Sequence, residues 1–297
     1  MSDAMKSQSA MEYLMTYGWA ILIIAVVLSV LFQLGVFSSG NFQPHAQAGS
    51  CQVSRTAAGV ALEGQCDGML PEFVGQFGPG GPSGGFANVP SSGMLNPSFF
   101  TLTFWISPTQ LQSGNFNRIL TKDVYASSPK SGWAVLWDGS AGVTGKIYMA
   151  GWNSIGTETD SGRIQLSQNT WGFVTFVYNG YVIAPYYNGA PEATSGVFIL
   201  QQAPTAINIG GGDSDAPGKS YYYGQLANIQ YYNTTLSQSE IQALYLEGIG
   251  GAPIRPQNLT GWWPLNGNAN DYSGNGNNGQ PNGVTFSSSW ESGYTAP

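Results

Sequence analysis

The chain has 297 residues, room for one or two globular units and an appendage at about 100–200 residues per domain. Hydrophobic residues at 42% and aromatics at 13% exclude wholesale disorder, while 8% charged residues and 41 Gly give a strand-and-loop profile wetted by neutral polar side chains. A net charge of -7 with no basic cluster excludes a nucleic-acid binder, and one His with two Cys is too little for a Cys/His zinc site or, with no carboxylate or Ser beside His45, for a triad.

In chain order, no charge occurs between Glu12 and Arg55, and Gly18 to Phe37 is apolar except for Ser29 and Gln33. That run is long enough to span a bilayer. It is longer than the apolar core of a secretory signal, about 7–15 residues, and Phe37-Ser38-Ser39-Gly40 is a poor match for a cleavage site. An ordinary cleaved signal is therefore the weaker reading.

Directly before it stands Met5-Lys6-Ser7-Gln8-Ser9-Ala10-Met11-Glu12. This resembles the class III signal of archaeal type IV pilins, over roughly residues 5 to 37. The resemblance implies a leader of residues 1–7 cut by a prepilin peptidase between Ser7 and Gln8, with Lys6 held on the cytoplasmic side. The apolar helix of residues 8–37, about 45 Å long at 1.5 Å per residue, would stay on the mature chain. Glu12 lies four residues after Gln8, so on a helix its carboxylate stands above the new α-amino group. In the pilin reading it pairs with the N-terminal ammonium of the same or a neighbouring subunit during assembly. The alternative is a first-turn Glu that only favours the helix dipole.

Residues 38–71 read as a linker and neck. Within them CQVSRTAAGVALEGQC places two strand-like stretches around Ala57-Ala58-Gly59. An even pair of cysteines outside a membrane segment favours a Cys51–Cys66 disulfide, contributing on the order of 3 kcal/mol. Two buried free thiols are the alternative.

From Glu72 onward short β-rich runs recur between Gly, Asn, Ser and Pro: EFVGQF, FFTLTFWIS, NRILTK, GWAVLWD, KIYMAG, TWGFVTFVYN, YVIAPYYN, GVFILQ, AINIG and YYYGQLANIQYYN. This spacing predicts an all-β sandwich over residues 72–297. One helix interrupts it, from Gln238 to about Glu247. Ser237 and Glu240 form a capping box, Leu236 and Ile241 stand at the staple positions, and Gly248 ends the helix.

FTLTFWISP (100–108), NTWGFVTFVYNG (169–180), INIGGG (207–212) and GQLANIQYYNTTLSQSEIQALY (224–245) resemble, in order, the laminin-G-like, concanavalin A-type jelly rolls. The fold class implied is mainly β: a long N-terminal apolar helix followed by a jelly-roll sandwich with one short helix. The opening motif of that family resembles LTGWWPLNGNANDYSGNGNNG (259–279), which here follows the helix, so the opening strands are expected to be permuted to 259–287.

The same sandwich serves glycan-cleaving enzymes carrying Glu-x-Asp-x-x-Glu on one strand. Here Glu158-Thr159-Asp160 is the nearest match, Arg163 stands where the last Glu is needed, and the surroundings read as a loop, so no enzyme is expected. Laminin-G-like relatives often hold calcium. That resemblance implies a ligand role for Asp271 in its Asn/Ser/Gly-rich turn and for Asn228, where relatives carry adjacent Asp and this chain has Ala227-Asn228. An Asx-turn is the alternative for Asp271. Trp152, Tyr186, Tyr187 and Tyr221 to Tyr223 are candidates for stacking on sugars, about half of any Tyr run being core. Asn233-Thr234-Thr235 and Asn258-Leu259-Thr260 are glycosylation sequons, a pattern that also arises by chance in Asn/Thr-rich sequence. The expected function is a cell-surface pilin-like subunit: membrane-inserted as a precursor, then a homopolymer in an extracellular filament displaying a lectin-like face to surface glycans. A single-pass anchored lectin that never polymerises is the second reading and a membrane-tethered glycan hydrolase the third.

Overall fold

The computed structural model describes residues 17–29, 54–55, 62–63, 70–78, 85–111, 116–138, 140, 143–212 and 221–297. Ser7, Gln8, Glu12, Cys51 and Cys66 lie outside the described residues. The chain divides into two units, Met1–His45 and Ala46–Pro297.

In the first unit residues 17–29 form a helix, α1. Its apolar side chains are exposed all round, from Trp19 and Ile21 at 65% to Leu28 at 46%. Among the described residues no helix is long and apolar enough to cross a membrane.

In the second unit β1 (Ser54–Arg55) and β2 (Leu62–Glu63) pair as an antiparallel ribbon, with Ser54 opposite Glu63. The sandwich begins with β3 (Val74–Phe77), β4 (Phe86–Val89) and β5 (Phe100–Pro108). Next come β6 (Arg118–Val124), β7 (Ser131–Trp137), β8 (Lys146–Trp152), β9 (Glu158–Asp160) and β10 (Ile164–Gln165). Then follow β11 (Gly172–Tyr178), β12 (Ile183–Tyr187), β13 (Ala190–Pro191), β14 (Ile207–Ile209) and β15 (Gly224–Tyr232). After helix α2 (Gln238–Leu246) come β16 (Leu259–Trp263), β17 (Gln280–Asn282) and β18 (Thr285–Ser287).

These strands form two antiparallel sheets. The front sheet runs β10-β8-β7-β6-β14-β4-β17, with β9 also on β8; the back sheet runs β13-β12-β11-β5-β15-β3-β18, with β16 also on β15. Alternation along each strand sends one set of side chains between the sheets. Phe100, Leu102, Phe104 and Ile106 of β5 therefore meet Trp133, Val135 and Trp137 of β7 in one buried cluster. The opposite set on the back sheet, including Trp105, Phe173 and Tyr232, is buried under Ile241 and Leu244 of α2 and Trp290 of the C-terminal segment. Helix α2 carries the capping box expected from Ser237 and Glu240, Leu236 and Ile241 share its buried cluster, and Gly248 follows with φ 79.

Two expectations are corrected. Residues 196–201 form no ladder strand: Phe198 N–H donates to Tyr181 of the back-sheet side, whereas Gln201 N–H donates to Trp152 of the front sheet. The segment alternates Phe198 and Leu200 inward with Val197 and Ile199 outward, so it reads as a strand while closing the seam between sheets. Conversely, Glu158–Asp160, expected as a loop, is the strand β9 paired with Ala150–Trp152. Strand β4 was not marked by the sequence at all. Residues 259–287 contribute to both sheets: β16 continues beyond β3 along β15, β18 pairs with β3, and β17 pairs with β4.

Candidate functional site

With the back sheet covered by α2 and the C-terminal segment, the outer face of the front sheet is the one that carries charged groups in register. Since Trp133, Val135 and Met149 point to the core, the alternate positions Leu136, Tyr148, Ala150 and Trp152 point outward. Pairing aligns Trp152 with Glu158 and Ala150 with Asp160, so both carboxylates join that face at its β8–β9 end.

Arg163 organises one part of this end. Its guanidinium lies 4.1 Å over the Tyr148 ring, Nε donates to Asp138 Oδ2 at 2.9 Å, and Nη2 donates to Asp160 Oδ2 at 3.1 Å. Burial opposes ionisation of Asp138, but hydrogen bonds from Ser140 and Arg163 outweigh it and hold the carboxyl below its ordinary range. Burial likewise opposes the charge on Arg163, and its two carboxylate partners overcome this and raise it. The Tyr148 phenol is pushed up by burial and then by Asp160 and Glu158.

Trp152 organises the other part. Its indole Nε1 donates to Glu158 Oε2 at 3.2 Å, and its ring meets Tyr125 edge-on at 5.8 Å. The Tyr125 ring in turn carries Lys130 Nζ at 3.7 Å and Arg118 at 4.5 Å, while Arg118 is bonded to Asp123 at 2.9 Å. The Glu158 carboxyl is raised by desolvation and by the Asp160 charge. Tyr125 is 39% exposed, so the strip offers solvent an aromatic ring bracketed by charges.

The carboxylates of this end are tied to partners. A glycosidase needs a general acid and a second free carboxylate flanking the bond. Here Arg163, at the position where the motif would carry Glu, binds both Asp160 and Asp138.

Asp271 and Asn228 are brought to opposite ends of one residue. Asp271 Oδ1 accepts from Trp262 N at 2.9 Å, and Asn228 Oδ1 accepts from Trp262 Nε1 at 2.7 Å. Asp271 Oδ1 also accepts from Ser273 N, and Oδ2 from Ser273 Oγ and Asn277 N. Asn228, at φ 47, further accepts from Gln230 and donates to Gly251 O. Among the described residues no group of three His, Cys, Asp or Glu could hold a metal ion. The sugar-stacking candidates scatter: Trp152 is buried in the strip, Tyr222 is core, Tyr186 lies against the layer beneath α2, and Tyr221 and Tyr223 are half-buried. Tyr125, Lys130, Asp138 and Tyr148 escaped the sequence reading because nothing local marks them; β6–β7–β8 pairing alone assembles them. Asn233 and Asn258 are hydrogen-bonded neighbours.

Among solved structures, a candidate carbohydrate binding protein from Bacteroides ovatus shares the fold at 18% identity and TM-score 0.54, over 74% of this chain and 61% of that one. This chain thus covers less than two thirds of that protein's length. A heptameric SAP-like pentraxin from Limulus polyphemus aligns at 15% identity and TM-score 0.42, over 62% of this chain and 86% of that one. No curated protein gave a match. The laminin-G-like family model described as the concanavalin A-like lectin/glucanases superfamily matches residues 80–242. Its boundaries take in β4 to β15 and the start of α2, and on that match the chain belongs to the concanavalin A-like lectin/glucanases superfamily.

Proposed function

We propose that this chain is a non-enzymatic glycan-binding subunit of a cell-surface filament, with the β8–β9 end of the front sheet as its glycan face. The observation that carries the binding half is the exposed Tyr125, edge-on to Trp152 and flanked by Lys130 and Arg118, with Glu158 on the Trp152 indole and the Arg163–Asp160 pair on the same sheet end. The cations already lie over the Tyr125 ring, so what the strip offers a sugar is polar: the exposed Tyr125 phenol and the flanking charged groups hydrogen-bond hydroxyls. Membership of a lectin-containing superfamily supports the same reading.

The filament half rests on the resemblance of residues 5–37 to a type IV pilin and on α1, whose exposed Trp19, Ile21, Ile23 and Ile24 require cover. The helices of other copies would supply it, after a prepilin peptidase releases Gln8 and Glu12 pairs with an N-terminal ammonium. Cys51 and Cys66 would close the neck. Calcium, if held, would require Asp271 to surrender hydrogen bonds it already accepts.

The test is twofold. Filaments sheared from cells should contain this chain with Gln8 as its mature N-terminus, and the full chain should bind a glycan on an array, with Tyr125→Ala and Arg163→Ala each weakening it. Membrane-bound chain without filaments would replace assembly by simple anchoring, and array binding unaffected by both substitutions would overturn the face.

A further inference from the structure

The chain enters the sandwich through a strand held on every side. Val74–Phe77 (β3) pairs along one edge with Gly224–Leu226 of β15 and along the other with Thr285–Ser287 of β18, antiparallel to both. Alternation sends Val74 into the buried layer beneath α2 and Phe77 into the core between the sheets. Gly75 leaves no slack: a Cβ there would stand 2.9 Å from Leu265 Cδ1.

Just ahead of the strand, two backbone groups are fastened by side chains from far along the chain. Phe73 N–H donates to Asn266 Oδ1 at 2.8 Å, and Trp290 Nε1 donates to Pro71 O at 3.1 Å, across 193 and 219 residues. Asn266 follows β16, which occupies the edge of β15 beyond the end of β3. Asn266, β18 and Trp290 all belong to the segment after α2. Without β18 the back sheet would end at β3, an open edge whose bonds could peel away one after another. With it, β3 is interior.

We propose that this arrangement is a force-bearing joint, in which tension carried by the chain N-terminal to residue 70 is resisted by both ladders of β3 in shear. Phe77, Gly224 and Pro108 stand in one row across β3, β15 and β5. A pull on Val74 toward the N-terminus, against a load held beyond that row, is directed along the strands. It loads the hydrogen bonds of both flanks together, whereas a pull across the strands would open them in succession. Forced unfolding is then governed by simultaneous loss of the two ladders. The inference rests on the proposed function only in taking the N-terminal segment as the attachment to the cell surface; a polymerised and a singly anchored chain would load β3 alike.

The experiment is single-molecule force spectroscopy on the full chain in detergent, held at Met1 or at Pro297. The second handle is p-azidophenylalanine in place of Gln110, which is exposed just beyond Pro108. Rupture of the sandwich is recognised by the length of chain it releases. The Met1 route loads β3 on two flanks, and the Pro297 route peels residues 288–297 and then loads β18 on one. The Met1 route should therefore need about twice the force of the other. Asn266→Ala should lower the Met1 force and leave the Pro297 force unchanged, and Asn266→Asp, which keeps the acceptor for Phe73 N–H, should restore it. Equal forces by the two routes, or an Asn266→Ala loss shared equally by both, would overturn the joint, and neither result would alter whether sheared filaments contain the chain.

Discussion

The side-chain amide of Asn258 donates to the side-chain carbonyl of Asn233 at 3.1 Å, and the backbone N–H of Asn233 returns a bond to Asn258 O at 2.9 Å. Two sequons 25 residues apart therefore form one patch in which the acceptor nitrogens are not equivalent. Asn258 has its amide committed, and Thr260 of its sequon is 4% exposed with its hydroxyl bonded to Tyr231 O. Asn233 and Thr235 are exposed. Glycopeptide mapping of native protein should find Asn233 modified and Asn258 bare; the reverse occupancy would show that modification precedes folding of β16.

The Trp262 clamp gives a stability prediction. Asp271→Ala removes a carboxylate that accepts from three backbone N–H groups and one hydroxyl. Bonds to a charged acceptor are worth about 1.5–3 kcal/mol each, though shared donors recover part from water. A melting temperature lower by roughly 5–10 °C is expected, at about 2–4 °C per kcal/mol. Because all four bonds are internal, excess calcium or EDTA should not move the wild-type melting point, whereas a calcium-dependent rise would assign Asp271 to a metal.

Lys122 supplies a pH dependence. Its ammonium is buried, donates to Ala203 O and Thr205 O, and desolvation lowers its pKa from 10.5 to about 8. Between those values the unfolded chain holds a proton that the folded chain has released, so stability rises with pH across that window. Below about 8 the full cost of the buried charge is present. Chemical denaturation from pH 7.5 to 10 should show this rise in wild type relative to Lys122→Met. Parallel profiles for the two proteins would mean that the carbonyls compensate the charge entirely.

Residues 251–297 should be indispensable. Trp262, Trp263 and Trp290 are all buried, at 3%, 1% and 1% exposure, and β18 covers β3. Losing a buried tryptophan costs about 3–5 kcal/mol, so three approach the 5–15 kcal/mol of a whole domain. Chain ended after Gly250 should be insoluble or molten by near-UV circular dichroism. Cooperative melting at the wild-type temperature would make this segment a dispensable tail.

The catalytic negative is equally specific. Wild-type protein should release no reducing ends from β-glucans, and Arg163→Glu, which would complete Glu158-x-Asp160-x-x-Glu, should gain none, because Arg163 leads into β10 rather than continuing β9. Turnover by wild type that disappears in Glu158→Gln would reverse the assignment.

What the sequence determined by itself is what depends on neighbours along the chain. Period-two alternation in FTLTFWISP and GFVTFVY fixes strands with one face inward, and Ser237 with Glu240 fixes the start of α2, because cap and ladder geometry are set within a few residues. The run of polar and small residues around Glu158 carried no such pattern, so β9 emerges only where β8 offers a partner edge. The sequence also separated inward from outward positions without determining which outward face would be covered. That was decided by tertiary structure: α2 and Trp290 take the back sheet, converting Trp105 and Phe173 from surface to interior. Arg163 meets Asp138 across 25 residues, and Asn258 meets Asn233 across the same separation, because hydrogen-bond ladders set distance in space irrespective of distance along the chain. A local pattern cannot encode the partner of a side chain when strand order, not sequence order, determines what stands opposite it.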